Sequence, residues 1–522
     1  MFTRAVIAAC ILLPVFTISS AQVLLPDSPE LAKALDSAGA NRAQLERVLS
    51  EYADDPDSLK HQAACYLIAN LEGHSYVTYM LCDSNKTEIP FNVLDYASLE
   101  ALEIGFDSLQ TQKGELSFKK KDLIEDSKTI TADLLRSHID FAFRAWREKP
   151  WAQRLTFEQF CSSVLPYRGS NEPLEEWREF FWDKYAEIAD RMKDSTDPIE
   201  AASLINQDIM SWFRFDSRYY YHPTDQGLSE MKATGLGRCE DMTNLAIFGM
   251  RALGLAVTSD YTPYWANSGN NHAWNAIITL DGRAIPFMGA EANPGSYRLA
   301  NKLAKAYRKT YEIRHENLVF QPRKQEKLPG WLAGKSYTDV TRDYTDARTI
   351  SVKLLRPVPD TVDIAYLCVF NSGEWQAIHW ARIADGEAVF TDMGTGVVYL
   401  PALYEEERMA PAGLPFILDS NGQMTDIVAD RPSATSVSLG SITNAKLETS
   451  TDGIERTWVK AGQEYELFFW DDGWQSIAKS TAEDTLVNFG STPSKALYWL
   501  QPVGSKRDER PFTIEAGTQV WW

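Results

Sequence analysis

The spacing of apolar residues changes character along this 522-residue chain, and that change limits the folds open to it. From residue 29 to about 215 apolar side chains recur at helical intervals, as in Leu31, Leu35, Leu45, Val48 and Leu49 and again in Ile139, Phe141, Ala142 and Trp146. Breaks at Asp54-Asp55-Pro56-Asp57-Ser58 and Asn171-Glu172-Pro173 place Asp, Asn or Ser where new helices need a cap. After Lys335 the runs become short and alternating, at 351–356, 362–370, 387–390 and 396–400, with turn residues between them, so strands are expected. A chain of this length exceeds a single core, and three or four domains are expected.

Between the two regions lies a segment with chemical potential. Gly237-Arg238-Cys239-Glu240-Asp241 opens a helix whose apolar residues are Leu245, Ile247, Phe248, Met250, Leu253 and Leu255, with Gly254 as its stop. Cys239 therefore sits at the first turn, where unpaired N–H groups and the helix dipole favour an anion and lower a thiol pKa. Further on, 271–280 reads as a strand, Asp281-Gly282 as a two-residue turn, and 284–288 as the return strand. With that turn, residue i faces residue 563 − i, and His272 faces Glu291. Directly opposed side chains lie on one face at roughly 4.5–5.5 Å between Cβ atoms, so Glu291 can orient the imidazole. Asp281 is the alternative, about nine residues or roughly 30 Å of strand away from His272. A residue outside the hairpin is the third possibility, and a bulge at Pro286 or Gly289 would shift the register by one.

The residues Cys239, Arg251-Ala252-Leu253-Gly254 and His272-Ala273-Trp274 resemble the transglutaminase-like superfamily of papain-type cysteine enzymes, over roughly residues 216 to 311. The resemblance implies a papain-like core with a cysteine nucleophile and a histidine partner. Family members usually carry an aspartate on the strand after the histidine; Glu291 occupies the plausible place here. The expected site is therefore Cys239, His272 and Glu291. A lone helix cysteine is more often a small buried hydrophobe, and Cys65, Cys82, Cys161 and Cys368, set among apolar neighbours, read that way.

The β region contains a repeat. Phe370, Trp375, Gln376, Ile378 and Tyr399 recur as Phe469, Trp474, Gln475, Ile477 and Tyr498, each ninety-nine residues later. Two copies make a tandem pair of sandwich-like lobes. Trp375, Trp380, Trp470, Trp474 and Trp521-Trp522 could stack on sugar rings, while alternation along strands makes them sandwich core. In the helical region Tyr167, Arg168, Trp177 and Arg178 cluster in sequence. They read as a structural arginine pairing Glu172 or Glu176, or as a wall of the substrate cleft.

Arg4, an apolar run at 5–18 and Ser19-Ser20-Ala21 predict a signal peptide at 1–21 and an exported protein, periplasmic, on the cell surface or secreted. Cleavage would remove Cys10 and leave five of the six cysteines, too sparse for a disulfide scaffold. A net charge of −20 argues against nucleic acid as a partner. No second apolar stretch is long enough for a membrane span. The seven histidines are scattered with no metal spacing, and Gly235-Leu236-Gly237 lacks the lysine of a phosphate loop, so neither metal nor cofactor is expected.

The expected architecture is α+β and multidomain: helical at 22–200, a transglutaminase-like core at 201–335, and β-rich lobes at 336–435 and 436–522, the second related to the first. The expected activity is cysteine-dependent acyl transfer, hydrolysing an amide in a peptide, protein or glycopeptide. The alternative is an inactive binding or scaffold protein that holds glycan through its lobes.

Overall fold

The computed structural model describes residues 28–324, 327–444, 459–505 and 509–522, so the expected signal segment lies outside the described residues. The chain is α+β and multidomain. Helices Pro29–Ser37, Ser58–Ala69 and Ala132–Glu148 begin at Ser28, Asp57 and Thr131, whose side chains accept orphan N–H groups of the first turn. A three-stranded antiparallel sheet interrupts this helical region, with Ser75–Cys82 between Glu88–Ile89 and Ser117–Glu125. Its last strand carries Lys119, Lys120 and Lys121 in succession and has no alternation to betray it.

One apolar core joins the N-terminal helices to the centre of the molecule, running from Leu45 and Ile139 to Phe248 and Trp274. At that centre lies the helix Cys239–Ala252, buried at every residue but Glu240. Trp177 stacks on its Phe248, centroids 5.1 Å apart. Against it packs a five-stranded antiparallel sheet in the order Tyr337–Asp339, Tyr307–Lys309, Val257–Thr262, His272–Ile278, Ala284–Phe287.

The arginine-rich stretch turns out to be scaffold. Arg168 forms a buried pair with Asp126, whose carboxylate also accepts from the Tyr167 hydroxyl at 2.8 Å. The Glu172 carboxylate instead receives the N–H groups of Gly169 and Ser170, both at 2.7 Å. Arg178 donates to the Val164 carbonyl at 2.6 Å and the Arg251 carbonyl at 2.9 Å. Arg251 in turn donates to the carbonyls of Ser163, Arg168 and Val257. Buried guanidinium groups thus satisfy loop carbonyls that water cannot reach.

Two C-terminal β-rich, sandwich-like lobes follow. In the first the strand order is Ala347–Lys353, Glu387–Gly394, Glu374–Ala384, Ile364–Asn371, Val397–Glu405, Phe416–Leu418, Met424–Asp426, with Arg408–Pro411 also paired to Val397–Glu405. The second pairs Asp430–Leu439 with Val487–Ser494, then runs Trp474–Thr481, Glu464–Trp470, Tyr498–Pro502, Pro511–Glu515, Thr518–Trp521. Each central hairpin carries a bulge, at Leu367/Cys368 and at Leu467/Phe468. The Tyr399 hydroxyl donates to the Gly394 carbonyl at 2.7 Å, and the Tyr498 hydroxyl to the Pro493 carbonyl in the same relation.

The correspondence differs from the sequence reading on one strand. Trp375 and Trp474, and Tyr399 and Tyr498, occupy equivalent positions, but Phe370 corresponds to Trp470 and not to Phe469. The second hairpin passes from Trp470 to Trp474 with one residue fewer between paired positions than Phe370 to Trp375. That shorter turn moves the first strand's offset to one hundred, as the buried series Ala365, Leu367, Val369 and Tyr465, Leu467, Phe469 shows.

Both lobes grip the loop that leads into His272. Asn371 of the first donates to the carbonyls of Trp265, Ser268 and Asn270 at 2.9–3.1 Å. Arg510 of the second donates to the Ala266 carbonyl at 2.6 Å and the Ser268 carbonyl at 3.2 Å.

Candidate active site

Gly235, in the left-handed conformation at φ 64°, ends the helix Leu228–Thr234 and turns the chain toward Cys239. The helix start is then pinned by Asp241, which accepts the Arg238 N–H at 2.9 Å and two bonds from Gln226. Burial raises the Asp241 carboxyl to about 6. Arg238 donates to the His222 carbonyl at 2.8 Å and to Asp225 at 3.0 Å.

The cysteine helix and the histidine strand are joined by Asn275, which donates to the Thr243 carbonyl at 3.1 Å, and this brings Cys239 beside the strand that begins at His272. The thiol itself donates to Glu240 Oε2 at 3.1 Å, and Asn271 donates to Glu240 Oε1 at 3.3 Å. His272 lies between Trp265 and Trp274, centroids 5.6 and 6.0 Å away. Its Nε2 shares a 2.6 Å hydrogen bond with the Tyr297 hydroxyl. Tyr220, 53% exposed, stands beside them, its phenol raised by partial burial first and then by its neighbours Cys239 and Glu240.

Two expectations need correction. Cys239 is only 7% exposed, and its thiol pKa is raised, not lowered. Burial is the main cause and the Glu240 carboxylate the second; the Ala273 N–H and Arg238 oppose them without prevailing. The helix dipole is thus outweighed. Burial also lowers the His272 pKa, with Glu240 partly opposing, so the resting pair is a thiol and a neutral imidazole.

Glu291 is not opposite His272. The hairpin turn holds three residues, Leu280 to Gly282, with Gly282 left-handed at φ 81° and Thr279 N–H bonded to the Arg283 carbonyl. The register is therefore Asn275 to Phe287, residue i facing 562 − i, one short of the expected arithmetic. Pairing then stops. The chain curls between Met288 and Ala292, where Asn206 donates to both carbonyls and accepts from Ala290 N–H at 2.8 Å. Gly289 makes this possible, since a Cβ there would stand 2.2 Å from the Met242 carbonyl on the cysteine helix. Glu291 ends up exposed, and its charge acts on Tyr297, whose phenol is raised by burial first and by Glu291 second. Asp281 lies in the turn, paired with Arg283 at 2.7 Å. The group that meets the imidazole is thus Tyr297, twenty-five residues from His272, and no local spacing pointed to it. Glu240 was legible as the neighbour of Cys239.

A cysteine at the start of a central helix, packed on an antiparallel sheet whose strand carries the histidine, defines a papain-type core. Residues 186–287 match the transglutaminase-like superfamily, so this stretch of the chain is a transglutaminase-like domain. The matched stretch contains Cys239 and His272 and stops before Glu291 and Tyr297. No curated protein matches the chain. Among solved structures, red sea bream transglutaminase aligns at 9% identity over 86% of this chain and 77% of that one, with a TM-score of 0.18, too low to bear on the fold. Among the described residues no group of three or more His, Cys, Asp or Glu is placed to hold a metal ion, and no helix is long and apolar enough to cross a membrane.

Proposed function

We infer that this is an exported, cysteine-dependent acyl-transfer enzyme that hydrolyses an amide in a peptide or glycopeptide. The observation that carries the reading is the joining of the cysteine helix to the histidine strand, with Asn271 donating to Glu240 and Asn275 to the Thr243 carbonyl on either side of that contact. The neutral imidazole takes the thiol proton as sulfur attacks the carbonyl carbon. The C–N bond then breaks, the imidazolium returns that proton to the leaving amine, and water hydrolyses the thioester. The Cys239 N–H, at the first turn of its helix, is available to the oxyanion. Tyr297 positions the imidazole in the place where Glu291 had been expected, and Glu291 acts from behind it.

A second reading, a binding or scaffold protein without turnover, has one observation in its favour: burial and Glu240 hold the thiol protonated at rest. Turnover of a panel of peptide and glycopeptide amides, read as released amine, separates the two. Cys239→Ala should abolish release while costing about 1 kcal/mol of stability, the usual size of a conservative change at a buried position. Retained release in the variant would refute the nucleophile, and no release from the native protein on any amide would favour the scaffold.

A further inference from the structure

Two cavities on the lobe side of the site share walls. One, of about 440 Å³, is lined by Asn270 and Asn271 together with Tyr264, Trp331 and Gln376. The other, of about 530 Å³, has the same Tyr264, Trp331 and Gln376 on one side and Trp375 and Trp474 on the other. Together they form one trough from the loop before His272 to the junction of the lobes. At its inner end Asn271 bonds Glu240, which bonds the Cys239 thiol. At its outer end equivalent tryptophans of the two lobes line the same space.

We propose that this trough binds a neutral saccharide chain and so holds the glycan part of a glycopeptide beside Cys239. Sugar rings present C–H faces that lie favourably over the negative face of an aromatic ring, and hydroxyls that pair with neutral amides such as Asn271 and Gln376. Each cavity is of the size, roughly 300–1,000 Å³, that encloses small ligands. A polyanion is disfavoured by Glu374 and Asp472 in the wall and by the chain's net charge of −20. A basic peptide gains little, because Arg408 and Lys309 line the trough too. The loop carrying Asn270 and Asn271 is held by Asn371 and Arg510, so the trough's inner wall is fixed by both lobes.

Saccharide binding is independent of turnover; only the delivery of an amide to Cys239 rests on the reading above. Binding is therefore measured on the full chain carrying Cys239→Ala, by calorimetry and tryptophan fluorescence, with short oligomers of β-1,4-linked N-acetylglucosamine as the probe. The background protein should bind, and Gln376→Ala, at a partly exposed side chain, should weaken binding about tenfold. Trp474→Ala should weaken it at least as much if the variant remains folded by thermal unfolding. Arg154→Ala, in a separate cavity beside Trp151, should leave it unchanged. Absence of binding, equal affinity in Gln376→Ala, or displacement of the oligomer by oligolysine would each overturn the proposal, the last in favour of a basic peptide.

Discussion

The thiol site and the paired lobes are both built from segments far apart in sequence, but from opposite materials. Around Cys239 each polar group is placed by a particular partner: Glu240 for the thiol, Asn271 for Glu240, Tyr297 for the imidazole. In the lobes the same apolar positions recur, with Leu367 and Leu467 both fully buried beside equivalent bulges. Hydrogen-bonded placement is lost when one atom is removed, whereas burial is spread over many contacts and scales with area. Reactivity should therefore reside in the first region and stability in the second, with Asn371 and Arg510 among the groups that couple the lobes to the loop before His272.

The largest effect should come from the lobes. Leu367→Ala and Leu467→Ala should each cost about 3 kcal/mol, the usual range for opening a cavity in a packed core. Denaturant unfolding should show similar losses, and alkylation of Cys239 under native conditions should be unchanged. Losses differing several-fold, or a fall in thiol reactivity with either variant, would break the contrast.

Next is the imidazole. Tyr297→Phe removes the hydroxyl that holds His272 and should reduce turnover about tenfold, the worth of one hydrogen bond, with little change in stability. Glu291→Gln should have a smaller effect, because that charge reaches His272 only through Tyr297. A larger loss in Glu291→Gln than in Tyr297→Phe would return the orienting role to the carboxylate. The pH profile adds a check: a histidine whose pKa is lowered by burial is already a neutral base below its ordinary value near 6.5, so the acid limb of turnover should lie below that pH.

The smallest effect is on the thiol. The native protein should be alkylated by iodoacetamide more slowly than a free-cysteine peptide, because burial and Glu240 keep the proton on sulfur. Glu240→Gln removes the carboxylate, lowers the thiol pKa and should speed alkylation about threefold at pH 8. Slower alkylation in Glu240→Gln would show that the carboxylate acts as the thiol's base.

The helices on either side of the three-stranded sheet, the cysteine at a helix start, the histidine strand and the two β-rich lobes were legible in the sequence, because each follows from local periodicity, capping and turn chemistry, whereas the lysine-rich strand Ser117–Glu125 was not. Both errors of register arose in hairpins, where one residue in the turn decides the pairing. The three-residue turn at Leu280 to Gly282 shifted the core hairpin, and the shorter turn before Trp474 shifted one strand of the repeat. What meets His272, how the thiol titrates, and which lobe residues hold the loop beside them depend on contacts between segments separated by tens to hundreds of residues. Those contacts are set by how the elements pack, and neither spacing nor composition along the chain encodes them one residue at a time.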